Sequence, residues 1–220
     1  MELITLKNIS KSYGDRKKVK ALQGFNFFLS KGEMVAIMGK SGSGKSTVLN
    51  VLSGIDILDD GEYFFQGKDM KLVTNDEMTL FRREHIGFVL QHFALIPDYT
   101  IYDNIAFSLL LQHESKQKIR ERVFAIAKEL EIEEILFKYP DEVSGGEAQR
   151  TAIARAIIHN PQLILADEPT GALDEETGFR IMNILKKLHE KGHTIVIVTH
   201  DSNVAAMCER TVWIKDGKNI

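Results

Sequence analysis

The sequence predicts a three-layer α/β domain built on a parallel sheet, and three observations predict it. Short apolar runs fit for buried strands alternate with helical stretches along the chain. One run, Met34 to Met38, leads into Gly39, Lys40, Ser41, Gly42, Ser43, Gly44, Lys45 and Ser46, which meet the pattern G-x-x-x-x-G-K-[ST] at every fixed position. Another, Gln162 to Ala166, ends in the carboxylates Asp167 and Glu168, the end of a strand at which open α/β sheets bind ligands.

The first 30 residues read as two strands, with Leu3, Leu6 and Ile9 and then Val19, Leu22, Phe25, Phe27 and Leu29 as apolar positions, separated by a turn at Gly14 and Asp15. Arg16, Lys17, Lys18 and Lys20 at that turn read as a solvated hairpin. After the turn Lys31-Gly32-Glu33 comes the strand that delivers the glycine loop, and Thr47 to Leu52 reads as the helix behind it. Glycines let the backbone wrap a phosphate chain with its N–H groups pointing inward, and the helix N-terminus adds a positive dipole end. Lys45 would reach the terminal phosphates and Ser46 would offer its hydroxyl to a magnesium ion.

Gly54 and Asp59-Asp60-Gly61 mark loops, and Glu62 to Phe65 before Gln66-Gly67 reads as a hairpin strand. Residues 75 to 84 read as a helix with Met78, Leu80 and Phe81 as its apolar positions, followed by a buried strand, Ile86 to Leu90, that delivers Gln91. From His92 to about Asn160 the chain turns helical, with Ser115 as an N-cap ahead of Ile119, Val123, Ile126, Ala127 and Leu130. Strand character returns at 161–168. Phe179, Ile181, Ile184, Leu185 and Leu188 then mark an amphipathic helix ending near Gly192. Thr194 to Thr199 is an apolar strand before His200, and the final strand is expected around Val212, Trp213 and Ile214, with no appended regulatory domain.

Across 220 residues, 28 Lys and Arg against 31 Asp and Glu give a formal charge of −3. That balance argues against a nucleic-acid binder relying on bulk electrostatics. The single cysteine, Cys208, can form no internal disulfide and reads as a small, semi-buried residue. No signal peptide is visible, and the apolar run Ile105 to Leu111 falls far short of the roughly 20 residues a bilayer span needs. Any membrane role is therefore expected to come through a partner. His85, His92, His113, His159, His189 and His193 read as exposed polar residues, since no acidic or cysteine grouping around them makes a metal site.

The chemistry concentrates at the ends of the apolar strands. Asp167 would hold magnesium through its water shell, and Glu168 would face the attacking water as its general base or polarising group. Ser144, Gly145 and Gly146 open a further helix and form an anion site of their own, far in sequence from the glycine loop. With Val143 and Glu147 they read Val-Ser-Gly-Gly-Glu, and here the chain resembles the nucleotide-binding subunit of ABC transporters, whose signature motif has the form LSGGQ. Val for Leu and Glu for Gln remove no phosphate-binding group.

That resemblance covers essentially the whole chain. It implies a P-loop NTPase (RecA-like) core with an antiparallel β subdomain, about residues 1–91 and 161–220, and an inserted helical subdomain, about residues 92–160, carrying the signature motif. It implies ATP as substrate, Mg2+ as cofactor, and a head-to-tail homodimer in which the Ser144–Glu147 signature of one copy closes on the ATP of the other. Tyr13 matches the aromatic residue that stacks on adenine, and Gln91 the glutamine that reads magnesium and the γ-phosphate. Asp174, in Gly171-Ala172-Leu173-Asp174, matches the loop crossing the dimer interface, and His200 the switch histidine. Loop residues Gly39 to Thr47 would carry the nucleotide.

Residues 166–174 and 91–97 are similar to the lipoprotein-releasing and macrolide- or peptide-exporter branch, which implies an integral membrane permease as partner and a place on the cytoplasmic face of the membrane. Phe93, Leu95, Ile96, Pro97, Tyr99 and Ile101 are the expected groove for the permease's cytoplasmic helix. Members acting on ribosomes or DNA carry a second domain or long coiled coils, neither of which is present. A phosphate-loop GTPase would need an Asn-Lys-x-Asp motif that the chain lacks.

Overall fold

In the computed structural model, residues 1–14 and 17–220 are described. Asp15 and Arg16, on which part of the predicted turn and of the basic cluster fall, lie outside the described residues. Strands β1 (Glu2–Tyr13) and β2 (Val19–Ser30) pair antiparallel, with Tyr13 opposite Val19 and Glu2 opposite Ser30. Strand alternation turns Ile4 and Leu6, and Phe25, Phe27 and Leu29, inward, and a register shift at Asn8, φ 52°, brings Ile9 to the same buried side. Strand β3 (Met34–Met38) is buried along its whole length, as a strand covered on both faces must be. Helix α1 (Lys45–Leu52) follows the glycine loop.

Strands β4 (Asp60–Phe65) and β5 (Lys68–Asp69) form a hairpin whose turn residues Gln66 and Gly67 both have positive φ, 50° and 80°. Asp60 and Gly61 belong to β4 rather than to a loop, because Asp60 pairs with Ser10 of β1. The resulting sheet has the order β2-β1-β4-β5. Helix α2 (Asn75–His85) starts at a capping box of Thr74 and Glu77. Its Phe81 is buried edge-on against Phe65, at 4.8 Å between centroids, and Met78 is half-buried. Leu80 is exposed, since the one buried face of so short a helix is already taken by positions 78 and 81.

Strand β6 (Ile86–Leu90) precedes three helices, α3 (Ile101–Leu111), α4 (Lys116–Glu129) and α5 (Gly145–Ile157). Ser115 caps α4 by accepting from the Lys118 N–H. Strand β7 (Leu163–Asp167) and helix α6 (Glu175–Glu190) follow. The buried stripe of α6 is Gly178, Ile181, Met182, Leu185 and Leu188, with Phe179 exposed. Stepping back three or four residues from Ile181 and Met182 reaches Gly178, so the helical period puts Phe179 off the stripe.

The chain finishes with β8 (Thr194–Thr199), α7 (Ser202–Ala206), β9 (Arg210–Lys215) and β10 (Lys218–Asn219). The strand around Trp213 is thus followed by an edge strand that hairpins back on it.

The second sheet has the order β10-β9-β3-β8-β7-β6, parallel from β9 to β6. Its alternating residues feed two cores. Val35, Ile37, Leu163 and Leu165 pack with α1 and the antiparallel sheet, and Ile164, Ala166, Ile195 and Ile197 pack with α3 to α6. Helix, sheet and helix layers follow, and the 92–160 segment shares a continuous core with α6. No helix among the described residues is long and apolar enough to cross a membrane.

Cys208 is half-buried, and burial together with Glu209 pushes its thiol up to about 12, so it stays protonated. Four histidines depart from the exposed reading. His85 is half-buried against Phe65 and Phe81, His159 lies against the Ile86 carbonyl at 3.2 Å, His189 faces Glu209 at 3.3 Å, and burial holds His193 below its ordinary value.

Candidate functional site

At the C-terminal ends of the parallel strands lies a cleft of about 790 Å³ lined by Tyr13, Lys40 to Gly42, Gly44 to Thr47, Gln91, Asp167, Glu168 and His200. With Val19 to Ala21, which also line it, six separate chain segments converge there. The glycine loop sits tightly on its neighbours: Gly44 has φ 106°, and a Cβ on it would meet the Ala21 carbonyl at 2.5 Å. Only glycine fits that position. Gly39 and Ser43 do not line the cleft but lie beneath it, where a Cβ on Gly39 would strike Ser43 and Ile214. Ser43 Oγ is buried with no partner, while its backbone carbonyl accepts from the Gly217 N–H at 2.9 Å.

Helix α1 begins at Gly44 with no side-chain cap and no acidic residue in its first turn. Its free N–H groups and dipole end therefore face the cleft unopposed. Lys45 donates through Nζ to the Gly39 carbonyl at 2.8 Å and the Lys40 carbonyl at 3.2 Å, which holds the ammonium over the loop.

Ser46 Oγ and Asp167 Oδ2 stand 3.5 Å apart across the cleft. Burial, then the neighbouring Glu168 charge, pushes the Asp167 carboxyl above its ordinary value. A hydroxyl, a carboxylate disfavoured without a counter-charge, and the Gln91 amide are hard oxygen donors that suit Mg2+. Among the described residues no group of three or more His, Cys, Asp or Glu gathers to hold a metal by itself.

The sign of the Asp167 shift gives a stability prediction. A carboxyl with a raised native pKa favours folding when protonated, and that contribution is lost as pH rises through the native pKa. Asp167→Asn is therefore expected to raise the neutral-pH melting temperature of the nucleotide-free protein by on the order of a degree or two, while weakening Mg2+-dependent nucleotide binding. The gain should shrink in acid. Calorimetry at several pH values checks it, and a neutral-pH melting temperature lowered by the change would count against the reading.

Glu168 adopts φ 46°, a left-handed backbone held by its N–H donating to the Val198 carbonyl at 2.9 Å and its carbonyl accepting from Gly171 at 3.0 Å. Its carboxylate takes the Thr199 hydroxyl at 3.2 Å and lies 2.8 Å from His200 Nδ1. Two adjacent strand ends thus join the predicted acid and the predicted histidine. A Cβ on Gly171 would lie 2.9 Å from the Gln91 amide, so the loop after β7 closes against Gln91 as well.

Ser144, Gly145, Gly146 and Glu147 do not line the cleft, and neither does Asp174. Ser144 caps α5 in a capping box: Glu147 Oε2 accepts from both the Ser144 N–H and its hydroxyl at 2.7 Å. Those bonds hold the Glu147 carboxyl below its ordinary value. Asp174 caps α6 by accepting from the Thr177 N–H at 2.9 Å.

At the other end of α5, the Arg155 guanidinium donates to the carbonyls of Phe93 and Ala94, at 2.8 and 2.6 Å, and burial lowers its pKa. Of the expected groove residues beyond Gln91, Pro97 and Tyr99 are exposed and Phe93, Leu95 and Ile96 half-buried. Ile101 is fully buried, because it begins the inward face of α3, and it cannot line a groove.

Lys20 is exposed, as a solvated hairpin charge is, and its place in the hairpin also puts it on the rim of the cleft together with Val19 and Ala21. Sequence reasoning missed this, and also missed Asn50 and Asp56 behind Tyr13. No local pattern signals them, since it is the docking of the end of β1 on the loop after α1 that brings them into place.

The family model described as "ABC transporter" matches residues 22–171. The "Bacitracin export ATP-binding protein BceA" of Halalkalibacterium halodurans is 44% identical over 220 residues, covering 99% of this chain and 87% of that protein. The "Macrolide export ATP-binding/permease protein MacB" of Photorhabdus laumondii is 42% identical over 216 residues, covering 98% of this chain but 33% of that longer protein. Among solved structures, the dimeric post-hydrolysis state of the ATP-binding cassette MJ0796 bound to ADP and Pi superposes with a TM-score of 0.91 at 43% identity, covering 99% of this chain and 96% of that one.

Proposed function

Because the chain belongs to the ABC transporter family, we propose that it is the ATP-binding and hydrolysing subunit of an ABC exporter, acting as a homodimer beneath a separate integral membrane permease. The observation that carries the reading is the separation of two anion sites: the cleft holds the glycine loop, while the Ser144 end of α5 lies outside it. A second copy facing head to tail brings its signature to that cleft.

In this reading Tyr13 supports the adenine, and the loop from Lys40 to Thr47, propped by Gly39, wraps the phosphates. Ser46, Asp167 and Gln91 hold Mg2+, which when bound neutralises charge on the phosphate being transferred. Glu168 takes the proton of the attacking water, and His200, oriented by Glu168, meets the γ-phosphate. Ser144, Gly145, Gly146, Glu147 and Asp174 act on the partner copy's side. ATP between two surfaces stabilises the closed dimer only while its γ-phosphate remains.

Residues 92–160 then form the lobe that moves against a core of 1–91 and 161–220. Pro97 and Tyr99, with half-buried Phe93, Leu95 and Ile96, receive the permease on the cytoplasmic face. The relatives named for bacitracin and macrolide export support a peptide or drug-like substrate, chosen by the permease, and the likeness of residues 166–174 and 91–97 to the lipoprotein-releasing branch adds a lipoprotein to that range.

Ser144→Arg tests the sandwich. The variant loses the Ser144 cap of α5, worth about 1 kcal/mol, and is expected to stay folded with a melting temperature lowered by a few degrees, to bind ATP as a monomer, and to fail to dimerise when hydrolysis is blocked. Light scattering reads the outcome, and an ATP-dependent dimer of the variant would sink the head-to-tail arrangement.

A further inference from the structure

Tyr13 does not stand alone at the edge of the cleft. Its hydroxyl donates to Asp56 Oδ2, and the same oxygen accepts from the Asn50 side-chain amide at 3.0 Å. The Asp56 N–H in turn donates to the Asn50 carbonyl at 3.2 Å. Lys11 lies over the Tyr13 ring, 5.4 Å from its centroid, and donates to the Ile57 carbonyl at 2.7 Å. Asp59 takes the Ser12 N–H at 2.7 Å, and its own N–H donates to the Ser10 carbonyl at 3.0 Å. The end of β1 is thus stapled to the loop after α1, and α1 is the helix whose other end is the glycine loop.

We propose that Asp56, braced by Asn50, is a positioning residue that sets the Tyr13 ring as the platform for the nucleobase, and so makes base recognition depend on the phosphate-loop helix. Lys11 lies over one face of the ring, and Tyr13, 38% exposed, lines the cleft in which a purine can stack on it. Without the bond to Asp56, a tyrosine at the exposed end of an edge hairpin is free to turn about its side-chain torsions, and a flat stacking surface is lost. Burial, and then the Asp56 contact, hold the phenol above its ordinary pKa, so it remains a donor throughout the neutral range. The inference rests on Tyr13 meeting the base in the function proposed above.

The test compares MgATP with inorganic tripolyphosphate, which has phosphates but no base, by titration calorimetry on the full chain. Asp56→Ala is expected to weaken MgATP about three- to tenfold, the range of one aromatic stack, and to leave tripolyphosphate unchanged. Tyr13→Phe, which keeps the ring but removes the hydroxyl, is expected to match it. The double variant should be no worse than either single one. Asp56→Asn should rescue, because one amide oxygen can accept from both Tyr13 and Asn50.

Equal weakening of both ligands by Asp56→Ala would overturn the proposal in favour of a general disturbance of α1. If Tyr13→Ala weakens MgATP but Asp56→Ala does not, the platform stands and the positioning role falls. If Tyr13→Ala has no effect on MgATP, the platform itself falls and takes the proposal with it.

Discussion

Replacing Glu168 with Gln is expected to lower ATP turnover by at least about a hundredfold while ATP binding survives. Gln has the same shape, so its carbonyl oxygen can still accept from the Thr199 hydroxyl that now donates to the carboxylate at 3.2 Å. It can also keep a hydrogen bond to the His200 ring, depending on which ring nitrogen holds the proton. What it cannot do is take a proton from water. The left-handed backbone at Glu168 depends on the Val198 and Gly171 bonds rather than on the side chain, so the substitution leaves the strand end in place.

Turnover and ATP affinity measured on the same preparation check the prediction, and near-normal turnover would remove Glu168 from the chemistry. The variant also serves as a trap. Held with ATP and Mg2+ in a membrane extract, it should bring down a multi-helix membrane protein; ribosomal proteins or DNA instead would overturn the transport role.

Lys45→Ala is expected to act on binding rather than turnover. The ammonium lies at the mouth of the loop on two carbonyls, with no acidic partner among the described residues. A charge-assisted contact to phosphate is available to it at little cost in reorganisation. Its loss should weaken MgATP by roughly a hundredfold, the equivalent of about 2–3 kcal/mol. The melting temperature without nucleotide should change little, since Lys45 reaches into the cleft and not into the core. Unchanged affinity would undermine the phosphate-loop reading itself.

The sequence made legible those parts of the molecule whose physics is local. The strand into Gly39 and the uncapped helix after Gly44 could be read because a glycine loop between a buried strand and a helix admits few geometries. The strand ending in Asp167 was legible from its run of buried apolar residues, and Ser115 from the preference of serine for helix starts. What failed depended on which side of an element meets another. Leu80 and Phe179 are apolar yet exposed, and Ile101 is buried where a surface was expected. Asp56 illustrates the harder case. It lies 43 residues from Tyr13, and only the stapling of β1 to the loop after α1 makes them neighbours. The meeting of Glu168 with His200 was not foreseen, although each was singled out separately, Glu168 by its place at a strand end and His200 through resemblance, since parallel strands join residues that no local pattern connects.

The half-buried Arg155 carries a mechanical consequence. Withdrawing its two backbone carbonyl partners would leave a partly desolvated cation short of acceptors, a change that costs on the order of 1–3 kcal/mol. The segment just beyond Gln91 is therefore fastened to one end of α5, whose 13 residues reach about 20 Å to Ser144. A helix of that length resists bending, so in the function proposed above α5 would act as a push rod: a small displacement at Gln91 would arrive, at similar size, at the Ser144 end that faces the second copy.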